Sequence, residues 1–216
     1  MRILSIQVTS EIKKMTFKEK EWPTAIYKTG VPGPVFLDRL GLDGDRQANL
    51  NVHGGEGRAV YAFGKSTYQL WTTVISADLL NTPGLFGENL TLDSIDEENI
   101  YVGDRFKLGT TILEATMPRF PCFIFAERVG YDKAQEFMYK TKKPGVLFRV
   151  IQTGTIQEGD QLELAERSKY DLTMTRFLEL GHVSNLTSEV MSYLKTITPI
   201  PQITIDRLEY RLIHGR

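Results

Sequence analysis

From residue 1 to about 165 the chain is a run of short apolar–polar alternations, each cut off within a few residues by Gly, Pro or Asp. A period of two places alternate side chains on one face, so these segments read as strands, and the punctuation keeps each one short. The clearest are residues 3–8, 60–63, 89–92, 105–108, 112–116, 146–153 and 161–164. Two share one design: in Val102-Gly103-Asp104-Arg105-Phe106-Lys107-Leu108 and Glu158-Gly159-Asp160-Gln161-Leu162-Glu163-Leu164, a Gly-Asp turn precedes residues that alternate polar and apolar. Many short strands with few long helices predict a mainly β fold, a barrel-like core carrying inserted helices. One insertion is residues 66–75, where Tyr68, Leu70, Trp71 and Ile75 have roughly helical spacing. A second covers 122–139, with Phe125, Val129, Phe137 and Met138 as its buried side.

After Leu164 the character changes. Residues 165–168 read as a linker, and three amphipathic patterns follow: Leu172, Phe177 and Leu178; then Leu186, Val190, Met191 and Leu194, capped by Ser184 or Asn185; then Ile205, Leu208 and Leu212, with Pro201 suited to the first turn. The expected organisation is a β domain at 1–165 and a three-helix unit at 166–216. A helix-turn-helix reading of that unit fails on charge. Residues 169–216 hold six Lys/Arg against five Asp/Glu, far from the basic face that phosphate neutralisation needs. The whole chain has a formal charge of −1, so no global field recruits nucleic acid or an anionic membrane. No run reaches the ~18 apolar residues of a spanning helix. The opening residues lack the apolar core and cleavage site of an export signal, and a single cysteine fits a reducing cytoplasm.

That cysteine, Cys122, lies in Ala115-Thr116-Met117-Pro118-Arg119-Phe120-Pro121-Cys122-Phe123. A thiol beside a cation and a helix start is biased toward thiolate, the form that binds metals and attacks electrophiles. The alternative is a small core hydrophobe. The densest polar stretch, residues 41–61, has five glycines that let backbone approach a ligand, with Arg46, His53 and Arg58 as donors. It suits an anionic, heteroatom-rich ligand, or else is a tight-turned surface loop whose Asp and Asn cap their own turns. It carries no GxxxxGK[ST] and no GxGxxG after a strand. Asn89 follows a glycine hinge and precedes a strand. Arg149 is a lone cation in an apolar strand, where it must be paired or face a ligand. His182 and His214 read as surface or cap residues. No His, Cys, Asp or Glu residues recur at zinc-ligand spacing.

Taken together, GLDGDRQANLNVHGGEGRAVYAF (41–63), FGENLT (86–91), VGDRFKLG (102–109), ATMPRFPC (115–122) and GVLFRVIQTGTIQEGDQLEL (145–164) resemble, in order, the MOSC family of molybdenum-cofactor sulfurase C-terminal domain proteins. The helical tail resembles the triple-helical extension of the YiiM-like branch, whose members confer resistance to hydroxylaminopurine base analogues. The resemblance implies a MOSC β-barrel that binds a molybdopterin-type molybdenum cofactor. The motif cysteine, here Cys122, would be the protein sulfur ligand to molybdenum and the catalytic residue. Arg46, His53, Asn89, Arg119 and Arg149 occupy motif positions expected to line the cofactor site, with Arg58 as a further cation. Glu56 departs from the basic residue many relatives carry after the HGG turn, and facing the ligand it would weaken phosphate binding.

The activity implied is reduction of small N-hydroxylated compounds to amines or amidines, a detoxifying oxidoreductase. The chain has no flavin, haem or iron–sulfur signature, so electrons would come from a separate redox protein, for which the helical tail is a candidate dock. Two other readings stay open: a sulfur carrier with a persulfide on Cys122, and a non-catalytic cofactor-binding protein. The chain lacks an aminotransferase-like desulfurase region, so pyridoxal phosphate is not expected and such a carrier could not generate its own sulfur.

Overall fold

The computed structural model describes residues 1–48 and 54–215. In chain order it contains β1 (Ile3–Val8), β2 (Lys13–Phe17), β3 (Lys20–Thr24), β4 (Thr29–Gly30), β5 (Val35–Asp38), β6 (Gly41–Leu42), a 3-10 turn at Glu56–Arg58, β7 (Val60–Gly64), α1 (Lys65–Trp71), α2 (Ala77–Leu80), β8 (Leu90–Leu92), β9 (Arg105–Leu108) and β10 (Thr111–Pro118). There follow α3 (Phe123–Val129), α4 (Ala134–Thr141), β11 (Val146–Gln152), β12 (Gly154–Ile156), β13 (Glu163–Glu166), α5 (Met174–Leu180), α6 (Ser188–Lys195) and α7 (Gln202–His214). No helix among the described residues is long and apolar enough to cross a membrane.

Eight strands form one sheet in the order β13-β9-β10-β11-β7-β8-β1-β4. Among the described residues only β7 and β8 run parallel, and α1 and α2 make the crossover such a pair requires. The sheet curls until its ends meet. Arg2 bridges to Gln161, the Ile3 N–H donates to the Asp160 carbonyl, and the Leu162 N–H donates to that of Met1. This is the barrel-like, mainly β architecture that the alternation predicts. β5, β6 and β12 form a second small sheet, and β2 pairs with β3.

Apolar side chains collect in two clusters. The first fills the curled sheet with Val60, Leu90, Leu113 and Phe148, and continues into the C-terminal helices through Met174, Phe177, Met191, Leu194, Ile205 and Leu208. The second gathers Trp71, Phe86, Phe125, Val129 and Met138 from α1, α3, α4 and the loop before β8. The chain crosses between them after β10. Pro118 ends that strand and Pro121 follows, and neither has an N–H to continue a ladder. Within this short exit Phe120 packs on the first cluster, while Cys122 and Phe123 pack on the second.

The C-terminal helices brace that exit. A Cβ at Gly181 would lie 2.4 Å from the Phe120 ring, which packs edge-on against Phe177. The Thr204 hydroxyl donates to the Met117 sulfur at 3.1 Å, and a Cβ at Gly57 would lie 2.5 Å from Pro201. Gly181 has an ordinary negative φ. Gly181→Ala is therefore expected to destabilise by overpacking alone, about 1–3 kcal/mol by urea titration.

Three local expectations shift. Residues 165–168 are no free linker: Ala165 and Glu166 end β13, and Asp104 accepts the Ser168 N–H. The α6 cap is Thr187, not Ser184 or Asn185, which bond to His182 and the Glu179 carbonyl instead. The last strand begins at Glu163 rather than Gln161, because Gln161 is taken by the bridge to Arg2.

Candidate functional site

A cavity of about 480 Å³ opens at the seam between the two clusters, a volume typical of ligand sites. It brings together Cys122, Arg46, Arg58, Asn89 and Arg119 from the sequence-predicted set. His53 lies outside the described residues. Arg149 stands elsewhere. From Leu147, which lines the cavity, Arg149 is two residues further along the same face of β11, roughly 7 Å away. There it pairs at 2.5 Å with its cross-strand partner Glu114, which also takes Arg105. Strand register thus turns Arg149 to Glu114 and leaves it out of this cavity's lining. Arg149→Gln is expected to cost about 1–3 kcal/mol of stability by urea titration, because Glu114 is only 3% exposed and loses one of its two cations.

Cys122 is half-buried and unbridged. It occupies the N-cap of α3 without a side-chain cap bond, so its sulfur is not spent on the helix. Arg119 donates to the Phe86 carbonyl and lies over the rings of Tyr61 and Phe125, at 5.1 and 4.8 Å from their centroids. Burial alone would lower this guanidinium's pKa. Tyr61, Cys122 and Glu88 outweigh that and hold it above the ordinary arginine value.

On another wall, Lys28 and Asp45 form an ion pair at 2.7 Å, each side chain 7% exposed. Asp45 also accepts the Thr9 N–H and one amide hydrogen of Asn89, both at 2.8 Å. The second Asn89 hydrogen goes to the Gln7 carbonyl, and its oxygen accepts the Tyr61 N–H. Both donors of Asn89 are therefore used within the protein, and its work is to fix Asp45 and hence Lys28. Burial pushes the Lys28 ammonium below the usual lysine range, against the pull of Asp45.

The third wall was not legible from strand and loop motifs. α7 presents Thr204, Arg207, Leu208 and Arg211 to the cavity, beside Arg58 of the 3-10 turn. Arg58 is pushed down to about 10, by burial and then by the charge of Arg207. Arg207 is lowered by burial and by Arg211, and raised by Cys122. Glu56 is exposed and does not line the cavity, so it does not oppose an anion there. Two arginines at i, i+4 repel on an isolated helix, and that spacing is the sequence signal that could have found them. Among the described residues, Lys28, Arg46, Arg58, Arg119, Arg207 and Arg211 line the cavity against the single carboxylate of Asp45. The site is built for anions. No cluster of three His, Cys, Asp or Glu exists among the described residues to hold a bare metal ion.

The family model described as MOSC domain matches residues 49–163. Protein YiiM of Escherichia coli is 37% identical over 147 residues, which is 67% of this chain and 65% of that protein, just under two thirds of its length. The uncharacterised protein YflK of Bacillus subtilis is 32% identical over 74% of this chain and 72% of its own. A protein named reductase from Gibberella moniliformis is 35% identical over 89% of this chain, which corresponds to 34% of its length. Among solved structures, YiiM of Geobacillus stearothermophilus superposes with a TM-score of 0.76 at 26% identity, covering 98% of each chain. Escherichia coli YiiM gives 0.75 at 25% identity, over 100% of this chain and 94% of its own. With more than half of its length matched and its barrel and helical tail both reproduced in these structures, the chain belongs to the MOSC domain family.

Proposed function

We propose that this protein is a molybdenum-cofactor-dependent reductase of N-hydroxylated compounds, acting on hydroxylaminopurine-type bases and hydroxylamines with electrons from a separate redox protein. The observation that carries the reading is the placement of the lone thiol, uncommitted to any cap bond, inside a cavity walled by cations. The donor set fits such a cofactor. A single sulfur ligand cannot chelate a bare ion, but it completes the coordination of a metal that arrives on its own pterin ligand. The excess of guanidinium groups suits that ligand's phosphate. Membership of a family associated with this cofactor, and a relative named reductase, point the same way.

When bound, the cofactor supplies the two-electron chemistry by which an N–OH group becomes N–H and water, with two protons taken up. This chain's residues do the rest. Cys122 would offer its sulfur to the metal. Arg119, held rigid by Phe86, Tyr61 and Phe125, keeps a positive charge beside that sulfur. Lys28 and Arg46 would face the anionic end of such a cofactor, with Lys28 oriented by the Asn89–Asp45 pair. Ile26, Met117, Phe123 and Ile124 give the cavity an apolar side for a planar base. A free thiol functions in a reducing compartment, so the proposed setting is the cytoplasm.

The test is to purify the protein from a host able to make the cofactor, then measure molybdenum, released pterin and reduction of 6-hydroxylaminopurine. Stoichiometric metal and pterin with turnover are expected, and absence of both would overturn the reading. One extra sulfur on Cys122 by mass spectrometry, passed on to an acceptor protein, would put sulfur transfer in its place.

A further inference from the structure

Resting on the reductase reading, we propose that the wall formed by Arg58, Arg207 and Arg211 is a phosphate subsite for the substrate, and that the substrates include N-hydroxylated nucleotides as well as free bases. Apart from Arg119, the cations of the cavity come from two parts of the chain. One, with Lys28 and Arg46, carries its own carboxylate in Asp45. The other gathers three guanidinium groups from the 3-10 turn and α7, and no acid lines it among the described residues. A cofactor whose phosphate is held by Lys28 and Arg46 would leave the α7 arginines for a second anion.

The α7 wall fits a phosphate monoester better than a carboxylate. Three guanidinium groups match a dianion with three equivalent acceptor oxygens, and each fork can bond two of them. The wall is also preorganised. Pro201 seats the start of α7 against Gly57, Thr204 bonds to Met117, and the Arg211 guanidinium lies 5.8 Å from the centre of the Phe120 ring. Burial lowers Arg58 and Arg207 most, and the neighbouring charges of Arg207 and Arg211 add to it, so an anion bound among them offsets part of the cost of holding them there. Residues 202–214 lie beyond the stretch matched by the family model, so this wall adds to what the shared domain supplies.

The experiment titrates the isolated protein with 6-hydroxylaminopurine riboside and with its 5′-monophosphate by calorimetry, whatever its state of loading. The monophosphate is expected to bind at least about tenfold more tightly. Arg207→Gln is expected to cut that ratio by about tenfold, and Arg207→Lys, which keeps the charge but loses the fork, to cut it less. Melting temperature, molybdenum and pterin are measured on each variant. Equal affinity for the two ligands in the parent protein, an unchanged ratio in Arg207→Gln, or loss of pterin and metal from that variant would each overturn the subsite. Failure of the reductase reading is a separate result: neither ligand is turned over by metal-loaded protein, while the binding ratio still reports on the wall.

Discussion

Under the proposed reductase function, Cys122→Ser will yield folded protein without activity on N-hydroxylated substrates. The two side chains differ little in size, and Cys122 is only half-buried, so packing changes little. The sulfur makes no cap bond at the start of α3. Serine is a favoured N-cap whose oxygen can accept one of the first helical N–H groups, so stability should hold or rise by about 0.5–1 kcal/mol. Activity should move the other way. Residues that merely orient a metal ligand cost about 10–100-fold when removed, so losing the proposed sulfur ligand itself should cost more than about 100-fold. The opposite signs separate chemistry from folding: the melting temperature is kept while turnover and bound molybdenum fall. Turnover within tenfold of the parent would take Cys122 out of the mechanism.

What made this site legible was punctuation. Pro118 and Pro121 stop β10 and force the chain out of the sheet, so the position of Cys122 at a strand-to-helix passage follows from two imino acids and one run of alternation. The β2–β3 hairpin escaped because its two turn residues, Lys18 and Glu19, adopt positive φ without the Asn or Gly that normally announces such a turn. Arg149 misled because an isolated cation in an apolar strand looks the same whether it faces a ligand or a cross-strand acid. Only register, which pairs it with Glu114, decides between them. Asn89 lies at the cavity, but a sequence cannot show that Gln7, Tyr61 and Asp45 use its amide. Arg207 and Arg211 belong to a helix whose amphipathic pattern explains only its buried side. Their role appears once α7 is docked across the barrel, a consequence of side-chain fit at Gly57 and Phe120 rather than of local propensity.

Replacing Arg119 with methionine, which keeps an unbranched chain and removes the charge, should cost about 3 kcal/mol or more. The Phe86 carbonyl loses its side-chain donor, at about 1–3 kcal/mol, and the rings of Tyr61 and Phe125 each lose a cation worth about 0.5–2 kcal/mol. Glu88 loses a favourable charge as well. It is 0% exposed and accepts the Tyr68 and Thr91 hydroxyls and the Phe86 N–H. In a chain of this size the midpoint should drop by roughly 6–12 °C. The pH dependence gives a sharper signature. Burial holds the Glu88 carboxyl above its ordinary value, and Arg119 pulls it back. A carboxyl raised on folding stabilises the folded state below its unfolded pKa, and that contribution disappears as pH rises through the folded value. Without Arg119 the folded value rises further, so a pH-dependent loss should add to the constant one and the variant's deficit should be larger at about pH 8 than at about pH 5. A deficit independent of pH across that interval would mean that Arg119 supports the loop before β8 through its hydrogen bond and ring contacts alone, with no electrostatic link to Glu88.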